Sequence, residues 1–230
     1  MNLPERSKNK QQNPRLQVAL DFENLDDALA IAEEVSPFVD IFEVGTLLII
    51  SEGIRAIQAL KDVHPDKLVC VDLKTTDNGY LEVKLVAQAG ASIITVLADA
   101  YKVTIIEALR AANDFNVEIM ADLIVSRSPV TTLAGLMDHK YNETKIHYAL
   151  VHSGLDQRAS RRAPLFELES VARLREHPRL AIAGGIRVTD IEKILEFPVD
   201  IIIVGGGITH AKNPYNAAED IRKAINKYFI

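Results

Sequence analysis

Eight short apolar runs rich in β-branched residues punctuate the chain: LQVALD (16–21), VDIFEV (39–44), KLVCVD (67–72), SIITVL (92–97), VEIMADL (117–123), HYALVH (147–152), LAIAGG (180–185) and DIIIVGG (200–206). Their hydrophobicity is near-continuous rather than alternating, as strands buried on both faces require. They begin about 20 to 33 residues apart, the spacing of βα units rather than hairpins. Between them, apolar positions three and four apart predict helices at 26–35, 53–63, 81–90, 104–113, 165–177, 189–195 and 217–229. Eight such alternations over residues 15–230 predict an α/β protein, a single (β/α)8 barrel. The competing architecture is an open doubly wound sheet, which usually carries a glycine-rich turn after its first strand. Here the first strand runs into LDFENLDD, with an acid and no glycine, and the glycines gather after strands seven and eight. Residues 1–14 read as a mobile polar arm ahead of the barrel.

Composition narrows the setting. With 48% apolar and 25% charged residues, the 230-residue chain can bury a sizeable core. A net charge of −6 argues against nucleic acid, whose phosphates demand a concentrated basic face. The single cysteine, Cys70, excludes an internal disulfide and a cysteine-cluster metal site. No apolar run reaches the roughly 18 residues needed to cross a bilayer, and residues 1–14 lack the apolar core of a signal peptide. A soluble, cytoplasmic protein that uses neither membrane nor nucleic acid is expected.

A set of ionisable residues falls at the carboxyl ends of these apolar runs. Asp21, Glu43, Asp72, Asp122 and His152 all sit at carboxyl ends of predicted strands, which in a barrel meet at one mouth. A carboxylate among Ile, Phe and Val is expensive to bury unless it is paired, hydrogen-bonded or bound to a metal. The densest cluster, DLKTTD, places Lys74 between Asp72 and Asp77, where neighbouring anions keep it protonated and able to stabilise a developing oxyanion. Glu43 and Asp72, on adjacent strands, are hard oxygen donors that suit Mg2+, with Mn2+ not excluded. His152 is placed to exchange a proton with substrate near neutral pH, whereas His64, His139, His147, His177 and His210 have no such company. Two glycine-rich turns, AGGI (183–186) and VGGGIT (204–209), offer backbone N–H groups at Gly184, Gly185, Gly205 and Gly206, with the Thr209 hydroxyl beside them. Paired after strands seven and eight, they predict a site for a phosphate monoester.

The combination VALD, FEVGT, VDLKTTDNG, TVL, ADLI, VHSGLDQ, IAGGI and VGGGIT resembles the 3-hexulose-6-phosphate synthases of the orotidine-phosphate-decarboxylase-like superfamily. The 3-keto-L-gulonate-6-phosphate decarboxylases are close cousins of that family. The likeness runs in order from about Leu16 to the C-terminus. It implies that Glu43 and Asp72 hold Mg2+, that Asp21 contacts substrate hydroxyls, that Lys74 stabilises an enediolate and that His152 shuttles its proton. It further implies a homodimer in which Asp77 reaches the partner's site, with Gly184, Gly185, Gly205 and Gly206 donating to the phosphate. The reaction implied is a reversible aldol condensation of formaldehyde with D-ribulose 5-phosphate. Decarboxylation of a 3-keto sugar-acid phosphate runs through the same intermediate and is the alternative; a sugar-phosphate sensor on the same barrel would leave the acid–lysine–histidine set without a use. The chain departs from the family in ADAYKVT (98–104, with Tyr101 and Lys102), in VSRSPVTT (125–132, with Arg127), at Leu47 and Ile50, and in a longer segment at 137–147. These are the parts that set substrate choice.

Overall fold

The computed structural model describes residues 13–137, 145–156 and 164–229. The strands form where the apolar runs lie. They are β1 (Arg15–Leu20), β2 (Ile41–Val44), β3 (Leu68–Thr75), β4 (Ile93–Leu97), β5 (Glu118–Asp122), β6 (Tyr148–His152), β7 (Arg179–Ala183) and β8 (Val199–Val204). All pair in parallel with their sequence neighbours, and β8 closes on β1 through Arg15↔Ile201 to Val18↔Val204. The predicted (β/α)8 barrel is the fold observed.

Continuous hydrophobicity has a simple cause here. Val18, Phe42, Val69, Ile94, Ile119, Ala149, Ile182 and Ile202 face outward into the layer shared with the helices. Ala19, Ile41, Cys70, Ile93, Met120, Leu150, Ala181 and Ile201 fill the barrel interior. Both sets are buried, so a polar side chain on either face of a strand is costly unless it is hydrogen-bonded or paired.

The helices are α1 (Leu25–Val35), α2 (Thr46–Glu52), α3 (Arg55–Val63), α4 (Gly79–Gln88), α5 (Lys102–Phe115), α6 (Pro129–Leu136), α7 (Leu165–Ala172), α8 (Ile191–Ile194), α9 (Gly206–Thr209) and α10 (Pro214–Tyr228). Asn24 starts α1 by accepting from the backbone N–H of Asp27, with Asp26 and Asp27 in the first turn favoured by the helix dipole. Asn213 does the same for α10 from Asn216, with Pro214 at the first helical position.

Three expectations shift. The helix predicted over 53–63 is preceded by a second one, α2, which buries Leu48 and leaves Leu47 and Ile50 exposed. Its outward face is apolar, so it shows no amphipathic signal. The helix predicted over 165–177 stops at Ala172, well short of Pro178, which disfavours helical backbone in the residue before it. Strand β3 does not end at Asp72 but runs on to Thr75 through a bulge against β4. Of the predicted polar arm, residues 1–12 lie outside the described residues. Asn13 is exposed and donates to Asn226 Oδ1 at 3.4 Å. Among the described residues, no helix is long and apolar enough to cross a membrane.

Candidate active site

The bulge in β3 makes the site. Val71 pairs with Ile94 and Thr75 with Val96, so β3 spends four residues where β4 spends two. The extra length is absorbed at Lys74, whose φ of 49° lies in the left-handed region that side-chain-bearing residues avoid. Strain of this kind persists only where the surroundings over-determine it, and bulges re-aim side chains next to active sites. Here Thr95 on β4 holds the bulge: its Oγ1 accepts from Lys74 N at 2.9 Å and donates to Asp72 Oδ1 at 2.8 Å. Lys74, expected just past the strand, is thus inside it, and its ammonium turns back onto Asp72.

Lys74 Nζ pairs with Asp72 Oδ2 and donates to Thr46 Oγ1 at 3.0 Å. Thr46, the first residue of α2, donates to Asp72 Oδ2 at 2.7 Å. Burial alone would raise the Asp72 pKa, but the Lys74 charge and the hydroxyl donors outweigh it and hold the carboxylate below its ordinary value. Burial likewise pulls the Lys74 pKa down, yet Asp72, Asp122 and Glu43 together lift it above the usual lysine value. Lys74 is therefore a fixed cation at neutral pH.

Glu43 is in the opposite condition. It is buried on β2, with Gln17 Nε2 donating to its Oε2 at 2.6 Å. Burial first, then the negative charges of Asp72 and Asp21, push its pKa up to about 8 against only partial relief from Gln17 and Lys74. Such a carboxyl keeps its proton at neutral pH unless a cation beside it displaces that proton. Among the described residues no group of three or more His, Cys, Asp or Glu could hold a metal ion alone. Two carboxylates do suit Mg2+, which commonly takes one or two and fills its shell with substrate oxygens and water. Asp72 Oδ1 spends one lone pair on Thr95 and keeps another. The donor set fits a hard divalent cation.

Across the mouth, His152 ends β6 and pairs through Nδ1 with Asp122 Oδ2 at 3.0 Å. Asp122, fully buried at the end of β5, is itself oriented by Ile124 N at 3.0 Å. Asp122 stood in the sequence only as one more strand-end acid; its role as the partner that aims His152 follows from β5 and β6 being neighbours. Gln17, Thr46 and Thr95 were likewise missed, because nothing in a neutral side chain marks it against an apolar run.

Asp21, exposed just past β1, lies against Gly45, where a Cβ would collide with its Oδ1, and near Gly205. Gly184 and Gly185 take φ values of 114° and 69° that a side chain would strain. Gly207 meets the carbonyl of Ile186, so the two glycine turns lie side by side. Gly205 and Gly206 open the single turn of α9, a helix the sequence did not suggest. Asp77 stands apart from this cluster: it is exposed on the turn into α4, and its Oδ1 accepts from Asn78 N at 2.8 Å. Arg127 and Tyr101 are exposed on the loops after β5 and β4, and most of the segment at 137–147 lies outside the described residues.

A closed parallel barrel that gathers carboxylates, a lysine and an oriented imidazole at its carboxyl-end mouth defines a (β/α)8-barrel enzyme. The chain belongs to the Orotidine 5'-phosphate decarboxylase / HUMPS family, whose model matches residues 14–221, and is an enzyme of the lyase class. It is 36% identical over 213 residues to the 3-hexulose-6-phosphate synthase of Mycobacterium gastri, covering 92% of this chain and 99% of that one. The crystal structure of 3-hexulose-6-phosphate synthase from Salmonella typhimurium superposes with a TM-score of 0.88 at 34% identity, over 93% of this chain and 99% of that one. The crystal structure of KGPDC from Streptococcus mutans gives 0.84 at 29% identity, over 94% and 99%.

Proposed function

We propose that this enzyme is a Mg2+-dependent sugar-phosphate lyase of the 3-hexulose-6-phosphate synthase type. Its reaction is the reversible aldol condensation of formaldehyde with D-ribulose 5-phosphate to D-arabino-hex-3-ulose 6-phosphate. One observation carries the reading: Glu43, the Asp72–Lys74 pair and the Asp122-held His152 meet at one mouth. The synthase name borne by relatives matched over nearly their whole length supports it.

Mg2+ held by Glu43 and Asp72, with Mn2+ as a substitute, would polarise the substrate carbonyl and its neighbouring hydroxyl. The rest falls to the chain. Asp21 accepts from substrate hydroxyls, and N–H groups at Gly184, Gly185, Gly205 and Gly206 take the phosphate. His152 removes a proton from C1; because Nδ1 is committed to Asp122, the exchange uses Nε2. The electron pair left behind becomes an enediolate, and Lys74 faces the oxygen on which charge grows. C1 then bonds to the formaldehyde carbon, the C=O pair moves to oxygen, and that oxygen takes the proton back from His152. The reverse breaks the same bond and releases formaldehyde.

The active unit on this reading is a homodimer. Ile50, Leu81, Leu85 and Tyr101 leave large apolar side chains exposed on α2, on α4 and just ahead of α5. A second copy covering them would bring each Asp77 to its partner's site. A reaction between small soluble metabolites suits the cytoplasm.

The test is NMR of the protein with Mg2+ and ribulose 5-phosphate in D2O, with and without formaldehyde. Deuterium at C1 and a new six-carbon product are expected; binding of the sugar phosphate with neither sinks the reading. Decarboxylation of a 3-keto sugar-acid phosphate is the second reading. It is favoured by the Streptococcus mutans neighbour and by Arg127, a cation on the loop after β5. It predicts CO2 release that weakens in Arg127→Ala.

A further inference from the structure

Gln17 lies on the inner face of β1, in register with Ile41 on β2 and Ile203 on β8. It is fully buried, and the side chains around that depth are apolar: Ala19, Ile41, Cys70, Ile93 and Ile203. An amide in such company lowers stability unless it is hydrogen-bonded, and a methionine would fill a similar space without polar atoms. The amide is only half satisfied. Nε2 donates to Glu43 Oε2 at 2.6 Å, while Oε1 is a buried acceptor with no partner among the described residues.

The bond to Glu43 is therefore what the amide supplies in exchange for an orphaned oxygen. Asp72 is aimed by three groups, Lys74, Thr46 and Thr95. For Glu43 the corresponding work falls to a residue beneath it, on the floor side of the carboxylate. Tying Oε2 to the amide restrains the carboxylate and leaves Oε1 outside that bond. Partners of this kind behind a metal-binding side chain govern how well it is presented to the cation.

We propose that Gln17 is a positioning residue for Glu43, holding its carboxylate ready for a divalent cation at the mouth. The inference rests on the cation site proposed above. It is tested on chelator-stripped full-length protein titrated with Mn2+ at one pH, without substrate, reading free Mn2+ by electron paramagnetic resonance. Gln17→Met should raise the Mn2+ dissociation constant about tenfold or more, while the melting temperature of the cation-free protein does not fall. Gln17→Asn keeps the amide but withdraws it by one methylene, and should weaken Mn2+ in the same direction by less. It serves as the measurement if Gln17→Met does not fold.

A folded variant that binds Mn2+ like the wild type overturns the inference, since a role confined to packing moves the melting temperature and not the dissociation constant. Wild-type protein that binds no Mn2+ overturns the cation site itself, and Gln17's role with it. The two failures are distinguished by whether the wild type binds.

Discussion

The two ends of this barrel both carry charge around the axis, and they treat it in opposite ways. At the amino-end floor, the first residues of β5, β6 and β7 are Glu118, Tyr148 and Arg179. Arg179 pairs with Glu118 and lies 3.9 Å from the Tyr148 ring centroid, and the Tyr148 hydroxyl donates to Glu118 at 3.1 Å. Burial, and then Glu118, push the Tyr148 phenol up to about 12, so it stays neutral. One cation meets one anion and each polar group named here has a partner. At the carboxyl-end mouth, Glu43, Asp72, Asp122 and Asp21 surround Lys74 and His152, and Glu43 is left with a pKa near 8. The floor is charge-matched and serves stability. The mouth is short of positive charge, and that deficit is the signature of a site that completes itself with something it binds.

The sharpest way to break this contrast is to remove the mouth's fixed cation. Lys74→Ala should lower kcat/KM for the proposed condensation by about 10²–10³-fold, measured by formaldehyde consumption at saturating Mg2+. A loss of the same size in the floor variant Arg179→Ala would erase the distinction between the ends.

A second measurement concerns stability in the absence of cation. Glu43 has an ordinary pKa of 4.5 and a folded value of about 8. Between those values the folded protein holds a proton that the unfolded chain has released, so the Glu43 contribution falls as pH rises through that window and levels off above it. Chelator-treated protein should lose stability from pH 5 to pH 8, with a slope of up to about 1.4 kcal/mol per pH unit from this group. Glu43→Gln should flatten the profile and be the more stable of the two at pH 8. Identical urea midpoints across the range would show that Glu43 is not strained at all.

The smallest effect belongs to the floor. Arg179→Ala removes a half-exposed ion pair and the contact over Tyr148, together about 1–2 kcal/mol. Urea denaturation should register that loss while kcat/KM stays within about twofold of wild type.

Much of this was legible in the chain. Residues such as Phe42, Val69 and Ile94 on one face of the strands and Ile41, Cys70 and Ile93 on the other are all buried. The eight strands therefore announce themselves as continuous apolar runs. Glu43, Asp72 and His152 stood out because five ionisable residues fall in register at the ends of such runs, although any one alone reads equally well as a solvated rim residue. The helices α2, α6 and α9 were not predicted, and α2 and α9 were hidden for opposite reasons. Helix α2 exposes apolar residues where a polar face is expected, and α9 is a single turn too short for periodicity. The Lys74 bulge was hidden because DLKTTD reads equally well as the end of a strand. Only the Val71↔Ile94 and Thr75↔Val96 pairings reveal the two extra residues.

What the sequence by itself determined is therefore the parallel (β/α)8 barrel and the carboxyl-end residues Glu43, Asp72 and His152, because burial on both faces of a strand and an acid or imidazole at its end are properties of single segments. What only the tertiary structure decided is who meets whom: Asp122 with His152, Thr95 with Asp72 and Lys74, Gln17 with Glu43. Each of these contacts joins residues 21 to 30 positions apart on adjacent strands. They depend on strand register to within a single residue, and a one-residue slip would turn every partner to the opposite face.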